Sequence, residues 1–156
     1  MNKYYRILFV CHGNICRSPM AEFVMKDMVE KRGFGHMFYI ASAATSTEEI
    51  GNPVHMGTRQ RLAKEGISVD GKYAVQVTKS DYDKYDYIII MDDYNRHNLT
   101  RIIGCDSDGK VHKLMEYTEN CTDVPDPWYT GDFEATYRDV VNGCSGLLAH
   151  IIGGDI

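Results

Sequence analysis

The chain has 156 residues and carries 17 Lys and Arg against 22 Asp and Glu, a formal net charge of −5. With 44% hydrophobic residues it can bury one sizeable core, and the length suits one domain over 1–156. The acidic balance argues against a general nucleic-acid or anionic-membrane binder, and no apolar run approaches the roughly 18 residues of a membrane span.

The first apolar stretch, Ile7 to Val10, is short and has no small-residue cleavage site, so no secretory leader is expected. Residues 6–11 (RILFVC) form a run of the kind buried in a parallel sheet. Ser18 and Pro19 then predict a helix start, with Ser at the N-cap and Pro in the first turn. Met20, Phe23, Val24 and Met28 recur at helical spacing, and Gly33 ends the segment. Residues 37–43 read as a second strand and 53–64 as a second helix, with Gly66 as its stop. Residues 86–91 have the strongest strand pattern, β-branched and continuous. A helix over 98–103 and a weaker strand over 111–115 follow. Phe133, Tyr137, Val140, Val141, Cys144, Leu147, Leu148 and Ile151 trace one face of a long last helix. Strands alternating with helices predict an α/β fold with a parallel sheet. In such sheets, sites form beyond the carboxyl ends of the strands.

Five cysteines, at positions 11, 16, 105, 121 and 144, cannot close into a disulfide framework. A chain of this size needs none, so a reduced, cytoplasmic protein is expected. There is no C-x-x-C pair and no closely spaced His pair, so no metal site is expected.

One cysteine lies where the topology predicts a site, in Cys11-His12-Gly13-Asn14-Ile15-Cys16-Arg17-Ser18 between the first strand and the first helix. A helix N-terminus attracts anions, because its N–H groups point outward and its dipole is positive there. Gly13 and Asn14 are the residue types that most easily adopt positive φ, as a tight cradle of inward N–H groups requires. Arg17 adds a planar fork suited to two oxygens of a phosphate. The segment contains no lysine, so it is not the nucleotide-binding P-loop. Cysteines at helix N-termini beside cations have pKa values lowered from about 8.5 to roughly 3.5–7.5. Cys11 is therefore the expected nucleophile, with Ser18 hydrogen-bonding its thiolate. An isolated Cys and Arg would read as a buried strand end and a surface charge. The glycine, the asparagine, the Ser-Pro start and the position after a strand together favour the nucleophile.

Phosphoryl transfer to sulfur also needs a proton for the departing oxygen. The candidate is Asp126, in a loop stiffened by Pro125 and Pro127, with Trp128 and Tyr129 placed to wall a slot for an aromatic ring. Read alone, Asp126 would be a turn or helix-capping residue.

Together these segments resemble the low-molecular-weight protein tyrosine phosphatases. Residues 10–19 match that family's V-C-x-G-N-x-C-R-S-P signature. The similarity continues through Ser42-Ala43-Ala44-Thr45, Gln76-Val77-Thr78, Met91-Asp92 with Asn95, and Asp126-Pro127 with Tyr129, covering nearly the whole chain. The resemblance implies a flavodoxin-like three-layer sandwich with a four-stranded parallel sheet and helices on both faces. It implies a two-step mechanism without metal or other cofactor, with Cys11 as nucleophile, Asp126 as acid then base, and Arg17 on the equatorial oxygens. His12, Gly13, Asn14, Ile15, Cys16, Arg17 and Ser18 carry over as the phosphate loop. Ser42 carries over as support for it from the second strand, and Cys16 as a redox partner able to form a reversible disulfide with Cys11. Implied substrates are tyrosine-phosphorylated proteins or aryl phosphates, with no nucleic-acid or membrane partner. A monomer is expected, with a weak dimer as the alternative.

There are departures from the family pattern. Glu48 and Glu49 lie where many members place an aromatic residue at the pocket rim, so the ring slot depends more on Trp128 and Tyr129. The two charges favour basic residues flanking a phosphotyrosine. Val75 stands where an arginine often occurs. Cys144, within the apolar stripe of the last helix, reads as core, and Cys105 and Cys121 have no assignment. Protein arginine phosphatases share the loop but typically carry threonine at the position of Ile15. Thiol-coupled arsenate reductases need resolving cysteines near residues 80–90, where this chain has none. A non-catalytic phosphotyrosine-binding module would normally have lost Cys11, Arg17 or Asp126.

Overall fold

A computed structural model describes residues 3–153. Strands β1 (Tyr5–Cys11), β2 (Phe38–Ala44), β3 (Tyr87–Ile90) and β4 (Val111–Lys113) form one parallel sheet in the order β2-β1-β3-β4. The helices are α1 (Arg17–Lys31), α2 (Met56–Ala63), α3 (Asp81–Lys84), α4 (Asp93–Ile103), α5 (Pro127–Thr130) and α6 (Phe133–Ile152).

Side-chain alternation along β1 divides the core into two layers. Ile7 and Phe9 point to one face, against Met20, Val24 and Met25 of α1 and Val140, Leu147 and Leu148 of α6. Leu8 and Val10 point to the other, against Tyr82 of α3 and Leu99 and Ile103 of α4. All of β1 from Ile7 to Cys11 is buried, as a central parallel strand covered on both faces requires. Cys144 is fully buried in the first of these layers. The result is the flavodoxin-like sandwich expected from the sequence. No described helix is long and apolar enough to cross a membrane.

Several element boundaries move for identifiable reasons. The helix expected over 98–103 begins at Asp93, because Asp92 and Asn95 form a reciprocal cap. Asn95 N donates to Asp92 Oδ1 at 2.8 Å, and Asp92 N donates to Asn95 Oδ1 at 3.2 Å. The helix expected from residue 53 begins at Met56, capped by His55, while Pro53 pairs with Tyr73 in an isolated antiparallel bridge. The strand expected over 111–115 ends at Lys113, where Leu114–Tyr117 winds into a 3-10 turn. Four-residue α3 is too short to show an apolar period.

The chain leaves β1 for β2 on one side and returns to β3 on the other, so the strand order switches direction between β1 and β3. A crevice opens at such a switch point, beyond the carboxyl ends of the two strands. Cys11 is the last residue of β1, and Met91 and Asp92 follow β3.

Candidate active site

The loop after β1 turns back on itself through Asn14, whose φ of 59° lies in the left-handed region. Asparagine tolerates this conformation better than other non-glycine residues. Gly13 does not share that backbone conformation. What it supplies is space, since a Cβ there would lie 3.3 Å from Glu49 Cγ. Ser18 is not the N-cap. The helix starts at Arg17, Cys16 occupies the cap position, and no side chain caps α1. The Ser18 hydroxyl instead lies 3.0 Å from Cys11 Sγ, and Asn14 N donates to the same sulfur at 3.3 Å.

Asn14 also organises the floor of the loop. Its Oδ1 accepts from Val75 N at 3.1 Å, which orients the amide, and its Nδ2 donates to Ser18 Oγ at 2.8 Å and Ser42 Oγ at 2.9 Å. Ser42 in turn donates to Glu22 Oε1 at 2.6 Å. With Asn14 supplying a hydrogen to each hydroxyl, the Ser18 proton is left for the sulfur.

Glu22 is buried and meets Lys26 Nζ at 2.6 Å and Lys72 Nζ at 3.6 Å. Lys72 Nζ also donates to Ser42 O at 2.8 Å. Burial pulls the Lys72 ammonium below its ordinary range, against the opposing influence of Glu22. Removing one partner of a buried ion pair strands the other's charge. Glu22→Gln is therefore expected to cost about 3 kcal/mol of stability, read as a lowered urea midpoint at unchanged m-value.

Arg17 is buried at 2% exposure. Its Nη1 donates to Asp92 Oδ2 at 2.6 Å and to Val124 O at 3.0 Å, and its Nη2 to Asp126 Oδ2 at 3.4 Å. Burial works against its charge, but Cys11, Asp92 and Asp126 outweigh that, and its pKa lies above the ordinary arginine value. The two aspartates each divide their oxygens. Asp92 Oδ1 caps α4 and Asp126 Oδ1 accepts from Trp128 N at 3.0 Å, capping α5, while the Oδ2 atoms face Arg17.

These groups open onto a cleft of about 110 Å³. Cys11, His12, Gly13, Ile15, Cys16 and Arg17 of the loop line it together with Glu48, Glu49, Asp126, Trp128 and Tyr129. Trp128 and Tyr129 are exposed, and His12 Nε2 meets Glu48 Oε2 at 2.8 Å on the rim. Burial pushes the Cys16 thiol up to about 12, with the negative charges of Cys11 and Asp126 adding to it.

A family model described as low molecular weight phosphotyrosine protein phosphatase matches residues 6–153. The chain belongs to this family. Among relatives, the low molecular weight protein-tyrosine-phosphatase YfkJ of Bacillus subtilis is 45% identical over 147 residues, covering 93% of this chain and 94% of the relative. The phosphatase PtpA of Staphylococcus aureus is 37% identical over 147 residues, covering 94% and 93%. The crystal structure of YfkJ from Bacillus subtilis superposes with a TM-score of 0.93 at 43% identity, covering 99% of this chain and 98% of that one.

In this low-molecular-weight phosphatase, the fold brings every residue expected at the site to one end of the sheet. Cys11, His12, Gly13, Ile15, Cys16, Arg17, Glu48, Asp126, Trp128 and Tyr129 line the cleft, and Asn14 and Ser18 are buried beside its sulfur. Asp92, Glu22, Lys72 and Val124 are additional. Asp92 had a signal, since it directly follows the strongest strand pattern. Glu22 lies one turn after Ser18, on the buried face of α1.

Proposed function

We propose that this chain is a protein-tyrosine-phosphatase that hydrolyses aryl phosphate monoesters through a cysteinyl-phosphate intermediate. The observation that carries the reading is the meeting of the Cys11 thiol, the buried Arg17 guanidinium and the Asp126 carboxylate at one aromatic-walled cleft. Phosphate seats on the loop N–H groups and Arg17, three of whose five N–H hydrogens have partners among the described residues. The remaining two present a fork to the equatorial oxygens of a loose transition state. The Cys11 thiolate attacks phosphorus, the bond to the aryl oxygen breaks, and Asp126 protonates that oxygen. In the second step Asp126 takes a proton from water as the water attacks phosphorus. The S–P bond breaks, and Ser18 and Asn14 N receive the departing thiolate.

No metal or other cofactor enters this sequence. Cys16 lines the same cleft as Cys11, and that proximity supports its reading as the redox partner of Cys11. The deciding experiment is hydrolysis of phosphotyrosine and p-nitrophenyl phosphate in excess chelator, alongside a phosphoarginine peptide. Turnover of the aryl phosphates is expected, and an inert chain would sink the reading. The apolar side chain of Ile15 in the cleft favours phosphotyrosine over phosphoarginine.

Glu48 and Glu49 bear on the peptide around the phosphotyrosine. Exposed ion pairs are worth only about 0.2–1 kcal/mol, so Lys-flanked phosphopeptides are expected to show kcat/KM about 2- to 5-fold above Glu-flanked ones. The margin should fade at high salt and in the Glu48→Gln, Glu49→Gln double variant. Equal kcat/KM on the two peptides would remove this role.

A further inference from the structure

His55 stands outside the cleft, yet it joins the phosphate loop and the Trp128 wall to α2 and α6. Its backbone N–H donates to Ile15 O of the phosphate loop at 2.8 Å. Its Nδ1 accepts from Gly57 N at 3.0 Å, capping α2. Its ring stacks on Phe133 at the start of α6, with centroids 5.2 Å apart and planes 18° from parallel. The same ring meets Trp128 edge-on, at 5.6 Å and 80°. A Cβ at Gly57 would run into the Phe133 ring, so the glycine allows the close approach on which the stack depends.

We infer that His55 is a positioning residue that holds the Trp128 indole upright as a wall of the cleft, and so sets the affinity for an aromatic leaving group. The inference rests on the phosphatase reading above and extends it to a residue that touches no substrate. The Trp128 backbone is fixed by Asp126, but the residue is 57% exposed. Among the described residues, the ring that meets it is His55. An exposed indole without that support would sample other rotamers, and a substrate ring would have to select one of them at a cost in affinity. His55 Nδ1 accepts a hydrogen bond, so the ring proton sits on Nε2 and the imidazole is held in one tautomer.

Two substitutions separate the ring from the cap. His55→Asn keeps a good N-cap acceptor and removes the ring, whereas His55→Phe keeps a ring and removes the acceptor. An edge-to-face contact corresponds to an affinity factor on the order of 2–10. His55→Asn is therefore expected to raise KM for p-nitrophenyl phosphate and weaken benzylphosphonate binding by that factor. Inhibition by inorganic phosphate, which reaches only the loop, should stay unchanged. His55→Phe should recover the aryl affinity.

The chain has one tryptophan, so its fluorescence reports Trp128 directly and needs no turnover. His55→Asn should change its emission and its response to benzylphosphonate. Unchanged emission and aryl affinity in His55→Asn would overturn the inference. So would a loss of phosphate affinity equal to the loss for aryl ligands, since that marks a general loop defect. An inert wild type would overturn the hydrolytic reading instead, while the emission of His55→Asn would still decide this one.

Discussion

A Cys11→Ser variant is expected to lose aryl-phosphate hydrolysis by a factor on the order of 10⁴–10⁶ while still binding inorganic phosphate. Cys11 Sγ is the atom toward which the Ser18 hydroxyl and Asn14 N converge. A serine oxygen at that place keeps the contacts but remains protonated, and an alcohol is a far weaker nucleophile than a thiolate. Cys16 offers no substitute, because burial keeps it in the neutral thiol form. The buried array beneath the loop meets the sulfur through the Ser18 hydroxyl and Asn14 N, contacts a serine oxygen keeps, so the phosphate seat should survive. Steady-state kinetics and phosphate calorimetry on the same preparation check both halves. Wild-type turnover by Cys11→Ser would remove the proposed mechanism.

Asp126→Asn is expected to lower kcat for phosphotyrosine by about 10²–10⁴-fold, the range typical of a lost general acid. Asparagine is the better probe than alanine. Its Oδ1 can still accept from Trp128 N and cap α5, so the wall of the cleft stays in place while the transferable proton is gone. With p-nitrophenyl phosphate, whose leaving group needs little protonation, the first step should persist and the second should lose its base. A burst of p-nitrophenol stoichiometric with enzyme should then precede slow turnover. Restoration of full activity by Asn would reduce Asp126 to a residue that positions Trp128.

The stretch from Cys11 to Ser18 was legible in the sequence because it is contiguous and flanked by a strand and a helix. Cys11, Asn14 and Arg17 each have a separate physical reason for their position. The residues that surround it were less legible because tertiary structure brings them in. Lys72 comes from an irregular segment with no period to read, and Val124 takes part through its carbonyl, which every residue has. Glu22 has a helical register that places it on the buried face, but an acid on a helix ordinarily reads as solvated. The strands were legible from their apolar runs, whereas helix starts moved wherever the cap was unusual. Asn95 stands where a capping box usually has Glu or Gln, and His55 caps through a ring nitrogen. Ser18 misled in the opposite direction. Its side chain is a good cap by type, yet it is turned to the sulfur and leaves α1 without a side-chain cap.

The direction of the hydrogen bonds around Asn14 has a consequence for the energetics of the reaction. Val75 N orients the amide, the amide hydrogens are committed to two hydroxyls, and Ser42 passes its own hydrogen to Glu22. With these hydrogens committed, the dipoles beside sulfur need not turn in the proposed reaction as charge moves to phosphorus and back. Water around the same thiolate would have to reorient at each step. A small reorganisation energy in the proposed reaction would thus trace back to the backbone conformation of one left-handed asparagine.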